Sequence, residues 1–340
     1  MMRTVIVGGG MVGLTLARLL RMRGHDPVVL ERMPAGAYVP RPFMLGFQGF
    51  VPLEEIGVLD RVRAAGWDIA PREDGTPVAI CVDVGTVLGA IGEDVPVVHG
   101  ESVVELLRDG DRVVGVVSEG PGGRVEIPAD LVVACDGIMS PVRTMAGLEA
   151  EFSPLIDAAL SFRSPTVIGR SFHIDYLSDG GMILVMGWPQ GSSGSRSIDK
   201  MGEEAALAPG VEAYKRTFLE LMPEAEEALS GVTSVDQLRY SEPRVLRCPK
   251  WWAPGVVLIG DSAHFFGPET GVGAGIGLGD AHALAEAIAR NPDDADAACS
   301  SYELWRAPAV RPYEAADPAW QRMAPVATVD RPPAEVWPPA

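Results

Sequence analysis

The chain has 340 residues, 47% of them hydrophobic, and carries 28 Lys and Arg against 46 Asp and Glu. The resulting charge of −18 repels phosphate backbones and excludes non-specific nucleic-acid binding, and an anionic nicotinamide would need a local basic patch. Four scattered cysteines without a CxxC pair exclude a zinc ribbon or a disulfide framework, and no apolar run is long enough for a membrane span, so a reducing cytoplasm is expected.

Thr4 to Val7 is an apolar, β-branched run of the kind that forms a buried parallel strand. Gly8-Gly9-Gly10-Met11-Val12-Gly13 follows, then Leu14 to Arg23 with helical composition, stopped at Gly24. Such a turn brings backbone N–H groups close to a pyrophosphate at a helix N-terminus. Pro27 to Leu30 reads as the second strand and Glu31 stands at its end, about 20 residues on, where a carboxylate meets a ribose diol. The rival reading is a βαβ unit whose glycines serve packing alone.

Met33 to Pro42 reads as a loop, Leu53 to Ala64 as one helix, and Trp67 to Pro77 as loop. A strand at Val78 to Val84, a short helix at Val87 to Ile91 and a strand at Val95 to Val98 come next. Val103 to Leu107 and Arg112 to Val117 flank Asp109-Gly110, a hairpin signal, and Arg124 to Ile127 and Leu131 to Ala134 continue the β-rich stretch. From residue 151 the pattern changes: Ser161 to Tyr176 and Met182 to Trp188 predict strands of a separate antiparallel sheet. Gly191 to Gly202 reads as a polar loop and Val211 to Met222 as an amphipathic helix. Val256 to Ile259 predicts a buried strand, Ile276 to Arg290 a helix, and Tyr302 to Arg306 a short closing helix. The proline-rich tail from Pro325 is expected to be disordered.

Three separated motifs decide the reading. After the glycine turn, Leu131-Val-Val-Ala-Cys-Asp136-Gly137 runs on to Ser140-Pro-Val142-Arg143, and Val256-Val-Leu-Ile-Gly260-Asp261-Ser-Ala-His264 continues through Pro268 to Gly271-Val272-Gly273-Ala274-Gly275 and Asp280-Ala281. In this order they resemble the p-hydroxybenzoate hydroxylase family, the class A FAD-dependent monooxygenases, over about residues 1–150 and 240–310. The resemblance implies an α/β fold: a Rossmann-like FAD-binding domain with a parallel sheet, plus a β-sheet substrate domain. Residues 1–70, 85–150 and 246–295 would form the first, 71–84 and 151–245 the second, and 296–340 a C-terminal helix and Pro-rich tail.

FAD is then the expected cofactor and NAD(P)H the co-substrate. The cofactor-binding set would be Gly8, Gly10, Met11, Val12, Gly13, Glu31, Arg32, Arg41, Val103, Asp136, Gly137, Asp261, Pro268, Gly271, Val272, Gly273, Ala274 and Gly275. Asp261 would accept ribityl hydroxyls, and the helix from Gly273 would aim its N–H groups at the flavin pyrimidine. Asp136 could instead cap the helix after Ser140, Arg41 and Arg32 could be solvated charges, and His264 reads as structural. Phe43, Phe47, Phe172, Met186, Trp188 and Phe266 are candidate substrate walls, with core packing as their rival role. No metal site and no family-wide catalytic base is implied.

The sequence departs from the family at two points. Gly275 stands where an asparagine is usual, and Asp83-Val84 where an arginine often precedes the helix at Val87. Weaker flavin retention is therefore expected. The resemblance implies a monooxygenase acting on an aromatic or polyketide-like small molecule. The alternatives are a reductase, such as an isoprenoid reductase, or an oxidase on the same fold, and a non-redox flavin-binding protein. A halogenase is disfavoured because Trp251-Trp252 does not match its tryptophan motif.

Overall fold

The computed structural model describes residues 2–38, 41–71, 77–154, 157–168, 172–176, 181–268 and 271–314; the Pro325 tail lies outside them. A six-stranded sheet in the order Trp252–Ala253, Val256–Leu258, Leu131–Ala134, Thr4–Val7, Val28–Glu31, Val97–His99 organises the first half of the fold. All neighbours are parallel except the edge strand Trp252–Ala253. Thr4–Val7 and Leu131–Ala134 are buried at every position, which is why they read as unbroken apolar runs. Helices Met11–Met22, Gly273–Arg290 and Ala295–Glu314 pack together, and the main core collects Leu16, Leu20, Val133, Leu258, Leu284 and Tyr302.

A five-stranded antiparallel sheet in the order Phe172–Tyr176, Met182–Trp188, Gly191–Ile198, Ala158–Ser164, Arg239–Ser241 forms the second half. One face packs Leu160, Phe162, Ile183 and Val185 against Tyr214 and Phe218 of the Val211–Leu219 helix. The other face turns to the small sheet Pro42–Gly46, Pro77–Asp83, Trp67–Pro71, where Phe172, Met186 and Trp188 meet Met44, Ile69, Val78 and Cys81.

Four sequence expectations need correction. Leu53 to Ala64 is two helices, Phe50–Glu55 and Leu59–Ala64, because Gly57 takes a left-handed conformation at φ +73° between them. The expected loop over Trp67 to Pro77 holds the strand Trp67–Pro71. Gly191 to Gly202 is largely a strand, Gly191–Ile198, in the middle of the five-stranded sheet. Its small residues make room rather than a loop: a Cβ at Gly194 would overlap the Phe162 ring and lie 2.6 Å from Phe218 Cζ. The closing helix is longer than expected, Ala295–Glu314, and carries Pro308 and Pro312 inside it. The helix's own side chains anchor it to the rest of the fold, Arg306 donating to Asp280 and Arg311 to the carbonyls of Cys248 and Pro249.

Candidate active site

The carboxyl edge of the parallel sheet gathers the three motifs. Gly8 follows the first strand at φ +114°, its N–H donating to the Leu30 carbonyl at 2.8 Å. The Gly9 N–H donates to Glu31 Oε2 at 2.7 Å, and the Met33 N–H to Glu31 Oε1 at 2.8 Å. Glu31 is thus fixed at the end of its strand before any ligand arrives. Gly13 has no room for a side chain: a Cβ there would overlap the Gly8 carbonyl and lie 2.8 Å from Cys135 Sγ. Gly10 is the opposite case, because its Cβ would meet nothing within 4 Å. It opens into the cleft at the N-terminus of the Met11–Met22 helix.

Two strands away, Gly260 at φ +59° bends the chain out of the Val256–Leu258 strand so that Asp261 faces the cleft. Behind it, the Gly260 N–H donates to Asp280 Oδ2 at 3.0 Å, and the Arg143 guanidinium donates to the Ser262 carbonyl at 2.8 Å. Asp261 is accessible yet walled by protein. Desolvation raises its carboxyl above the usual range and Asp280 adds to the shift, while His264 and Arg41 oppose it. Gly273 opens the Gly273–Arg290 helix, and a Cβ there also meets nothing within 4 Å. The first-turn N–H groups of a helix have no intrahelical acceptor, so this terminus offers donors to the same cleft.

The FAD binding domain family model matches residues 1–74 and 90–314. The chain belongs to that family. It is 26% identical over 321 residues to the 6-methylpretetramide 4-monooxygenase of Streptomyces rimosus, covering 84% of this chain and 73% of that protein. It is 28% identical over 354 residues to the kynurenine 3-monooxygenase of Salinispora arenicola, covering 90% and 76%. The fold matches the crystal structure of Pseudomonas aeruginosa PqsL in complex with 2-aminobenzoylacetate, with a TM-score of 0.77 at 22% identity, covering 92% and 93%. The chain is a class A FAD-dependent oxidoreductase, and FAD is its cofactor.

The cleft fits FAD. Gly10 and Gly273 leave open space beside helix N-termini, which suit a pyrophosphate or an electron-rich ring, and Glu31 and Asp261 carry carboxylates that would be available to accept its hydroxyls. Gly8, Gly137 (φ +90°) and Gly271 (φ +63°) hold the left-handed turns between these elements. Met11, Val272 and Ala274 present backbone in the two helix starts, as Val12 does, although its side chain packs at the joint between Gly260 and Gly277. Val103 is buried in the core of the Ser102–Asp109 strand, so only its main chain is available, while Arg32 and Pro268 are exposed.

Asp136 is half committed: its Oδ2 accepts the Val142 N–H at 3.1 Å in the first turn of the Pro141–Met145 helix, whose N-cap is Ser140, while its Oδ1 is buried without a protein partner. His264 is buried against Asp280 at 2.7 Å and does not face the cleft, in keeping with its structural reading.

Both departures from the family acquire a structural reason. Asp83 caps the Val84–Gly92 helix, accepting the N–H groups of Gly85 and Thr86, and its other oxygen accepts the Arg41 N–H at 2.8 Å. The Val84 N–H in turn donates to the Arg41 carbonyl, so the Arg41 backbone is pinned on both sides while its side chain remains exposed. At Gly275, a Cβ would lie 3.1 Å from the Gly46 carbonyl and 3.2 Å from both Gln48 Oε1 and the Gly49 nitrogen. The Gly46 carbonyl, the Gln48 amide oxygen and the Gly49 nitrogen therefore crowd the space a residue-275 side chain would enter. Sequence reading passed over Gln48, whose signal was the pair of glycines at 46 and 49.

The aromatic candidates divide. Phe266 is 1% exposed, stacked on His264 and tilted against Tyr313, which gives it to the core. Trp188 and Phe47 are buried as well. Phe43, Phe172 and Met186 are part-exposed, the last two paired across strands on the face turned toward the cofactor half. A separate cavity of about 660 Å³, lined by Leu160, Arg196, Met201 and Tyr214, opens on the opposite face of that sheet and belongs to neither group.

Proposed function

We propose that this chain is an FAD-dependent monooxygenase that hydroxylates, or otherwise oxygenates, an aromatic or polyketide-like small molecule with NAD(P)H as reductant. Bound FAD supplies the redox and oxygen chemistry. Glu31 would hold the adenosine ribose, the Gly8–Gly13 turn the pyrophosphate, and Asp261 the ribityl chain. The N-terminus of the Gly273–Arg290 helix would face the flavin pyrimidine, where its fixed N–H groups stabilise negative charge without reorganising. The five-stranded sheet would cover the ring from the other side, excluding water with Phe172 and Met186. Within this reading, residues 1–70, 85–150 and 246–295 carry the cofactor and 71–84 and 151–245 the substrate. The cytoplasm is the proposed compartment, supported by four cysteines that are all free.

What supports the reading is that Gly10, Glu31 and Asp261 stand at the carboxyl ends of strands of one parallel sheet, with Gly10 and Gly273 each at the start of a helix, in a chain whose matched relatives include monooxygenases. The test is aerobic turnover with labelled dioxygen against a panel of aromatic compounds. Stimulated NAD(P)H oxidation with one labelled oxygen in the product is expected. Flavin reduction without an oxygenated product from any compound would transfer the chain to the reductases.

A further inference from the structure

On the helix-covered face of the five-stranded sheet, a cation stands in an apolar row. Strand register places Arg196 directly opposite Ile183 on one side and Leu160 on the other. Cross-strand partners share a face, and Ile183 and Leu160 both belong to the core packed beneath the Val211–Leu219 helix. Arg196 therefore projects among apolar side chains, with Gly194 and Ile198 two residues away on its own strand. The acid next along the row, Asp175 beyond Ile183, is hydrogen-bonded to His173 at 2.9 Å.

Arg196 lines the cavity of about 660 Å³ on this face, and its Nε is buried without an acceptor among the described residues. The Tyr214 hydroxyl in the same wall donates to the Leu160 carbonyl at 3.2 Å. Burial raises the Tyr214 pKa, and the Arg196 charge opposes that rise, so the guanidinium acts at short range here. An unanswered N–H among apolar side chains costs stability in the free protein, and a bound acceptor relieves that cost. A second set of donors borders the same space. Gly210 lines the cavity at φ +83° as N-cap of the Val211–Leu219 helix, with no side-chain cap, and a Cβ there would meet nothing within 4 Å. The first-turn N–H groups lack intrahelical acceptors. Glu212, the acid of that turn, is 81% exposed and holds Lys215.

We propose that this cavity is a second small-molecule site, on the sheet face away from the flavin cleft, and that it binds a singly charged amphipathic carboxylate. Its volume lies within the range of small-molecule sites. The carboxylate meets Arg196 and the helix start, where forked guanidinium donors engage both oxygens. The aliphatic body lies along Leu160, Ile198, Met201, Ala206 and Ala213. Asp157 and Asp199 also line the cavity, just beyond the strand ends at Ala158 and Ile198, and repel a doubly charged ligand such as a phosphate monoester. The site does not depend on which reaction the flavin carries out.

FAD-saturated holoprotein is titrated by calorimetry with octanoate, 1-octanol and octyl phosphate. Octanoate is expected to bind at least about tenfold more tightly than octanol, the size of one charged hydrogen bond, and more tightly than octyl phosphate. The visible flavin spectrum should not change on binding. Arg196→Met should abolish the preference for octanoate over octanol while leaving the ligand-free thermal midpoint unchanged or higher, because it removes a charge from an apolar row. Ala213→Leu, which keeps the arginine and narrows the cavity, should weaken octanoate and octanol alike.

Octanoate binding that is absent, or no tighter than that of octanol, overturns the proposal, as does tighter binding of octyl phosphate. A preference that survives Arg196→Met overturns it too, and a lowered midpoint alongside that preference would make the arginine a structural residue. A flavin spectral change that tracks octanoate binding, or full affinity in Ala213→Leu, would place the ligand outside this cavity and overturn it equally.

Discussion

His264 Nε2 lies 2.7 Å from Asp280 Oδ2, with both side chains almost fully buried. The same carboxylate accepts the Gly260 N–H at 3.0 Å and the Arg306 Nε at 2.8 Å. Asp280 therefore ties together the turn that presents Asp261, the strand that follows it and the C-terminal helix, from a position that never touches the cleft. Its rigidity is passed to the cofactor site through Gly260.

Asp280→Asn should cost about 3–5 kcal/mol, because it takes the anion from the part-buried Arg306 and weakens the contact with buried His264. Burial alone would raise the Asp280 pKa, but His264 and Arg306 outweigh it, and the carboxyl is held below its ordinary value. A depressed carboxyl contributes stability that is complete above the unfolded value of about 4 and is lost as pH falls through the folded one. Urea unfolding from pH 7 downward should show this loss below about pH 4 in the wild-type chain and its absence in Asp280→Asn. Equal pH slopes in the two proteins would show that Asp280 gains nothing from its partners.

Two glycines of the first turn should behave differently when each is changed to alanine. Gly13→Ala drives a methyl into the Gly8 carbonyl and Cys135, so the apoprotein itself should be destabilised and poorly soluble. Gly10 has an ordinary φ of −77° and open space around it, so Gly10→Ala should fold with an unchanged midpoint. The added methyl would then occupy pyrophosphate space, and FAD affinity should fall at least about tenfold, the effect of about 1.4 kcal/mol. Retention of full FAD affinity by Gly10→Ala would place the phosphates elsewhere.

These contrasts mark what the sequence could and could not show. The parallel sheet was legible because buried strands such as Thr4 to Val7 are β-branched throughout and almost wholly apolar, and glycine turns announce their backbone geometry. The strand Gly191–Ile198 was not, because its serines and glycines answer to Phe162 and Phe218, which lie far away in sequence. Gly275 looked like a lost contact, since only the fold brings Gln48 into the space beside it.

Asp83 stands where an arginine often serves the family, and its two oxygens serve the Val84–Gly92 helix and the Arg41 backbone. Asp83→Ala should lose a helix cap worth about 0.5–2 kcal/mol, seen as a lower thermal midpoint of the apoprotein. It should also release Arg41 and increase FAD loss on gel filtration. The wild-type chain is itself expected to emerge with less than one FAD per protein, because Asp83-Val84 stand where the family often has an arginine. A stoichiometric complex that survives dilution would contradict that expectation.

The cysteines offer a direct check on core packing. Burial pushes the Cys81 thiol up to about 12 and the Cys248 thiol up to about 11. Cys299 is raised by burial with help from Asp296, and Cys135 by burial, then Asp136 and Glu31. The thiolate is the reactive form, so all four should resist a dithiobis-nitrobenzoate titration at neutral pH in the folded protein and react fully in guanidinium. Cys135 is the sharpest case, because its Sγ lies 3.2 Å from the Val7 carbonyl and 3.3 Å from that of Gly8, directly beneath the first glycine turn. Gly13→Ala, which presses on this sulfur, should make Cys135 the first thiol to react. Prompt labelling of Cys135 in the wild-type holoprotein would show that the turn opens with the cofactor still bound.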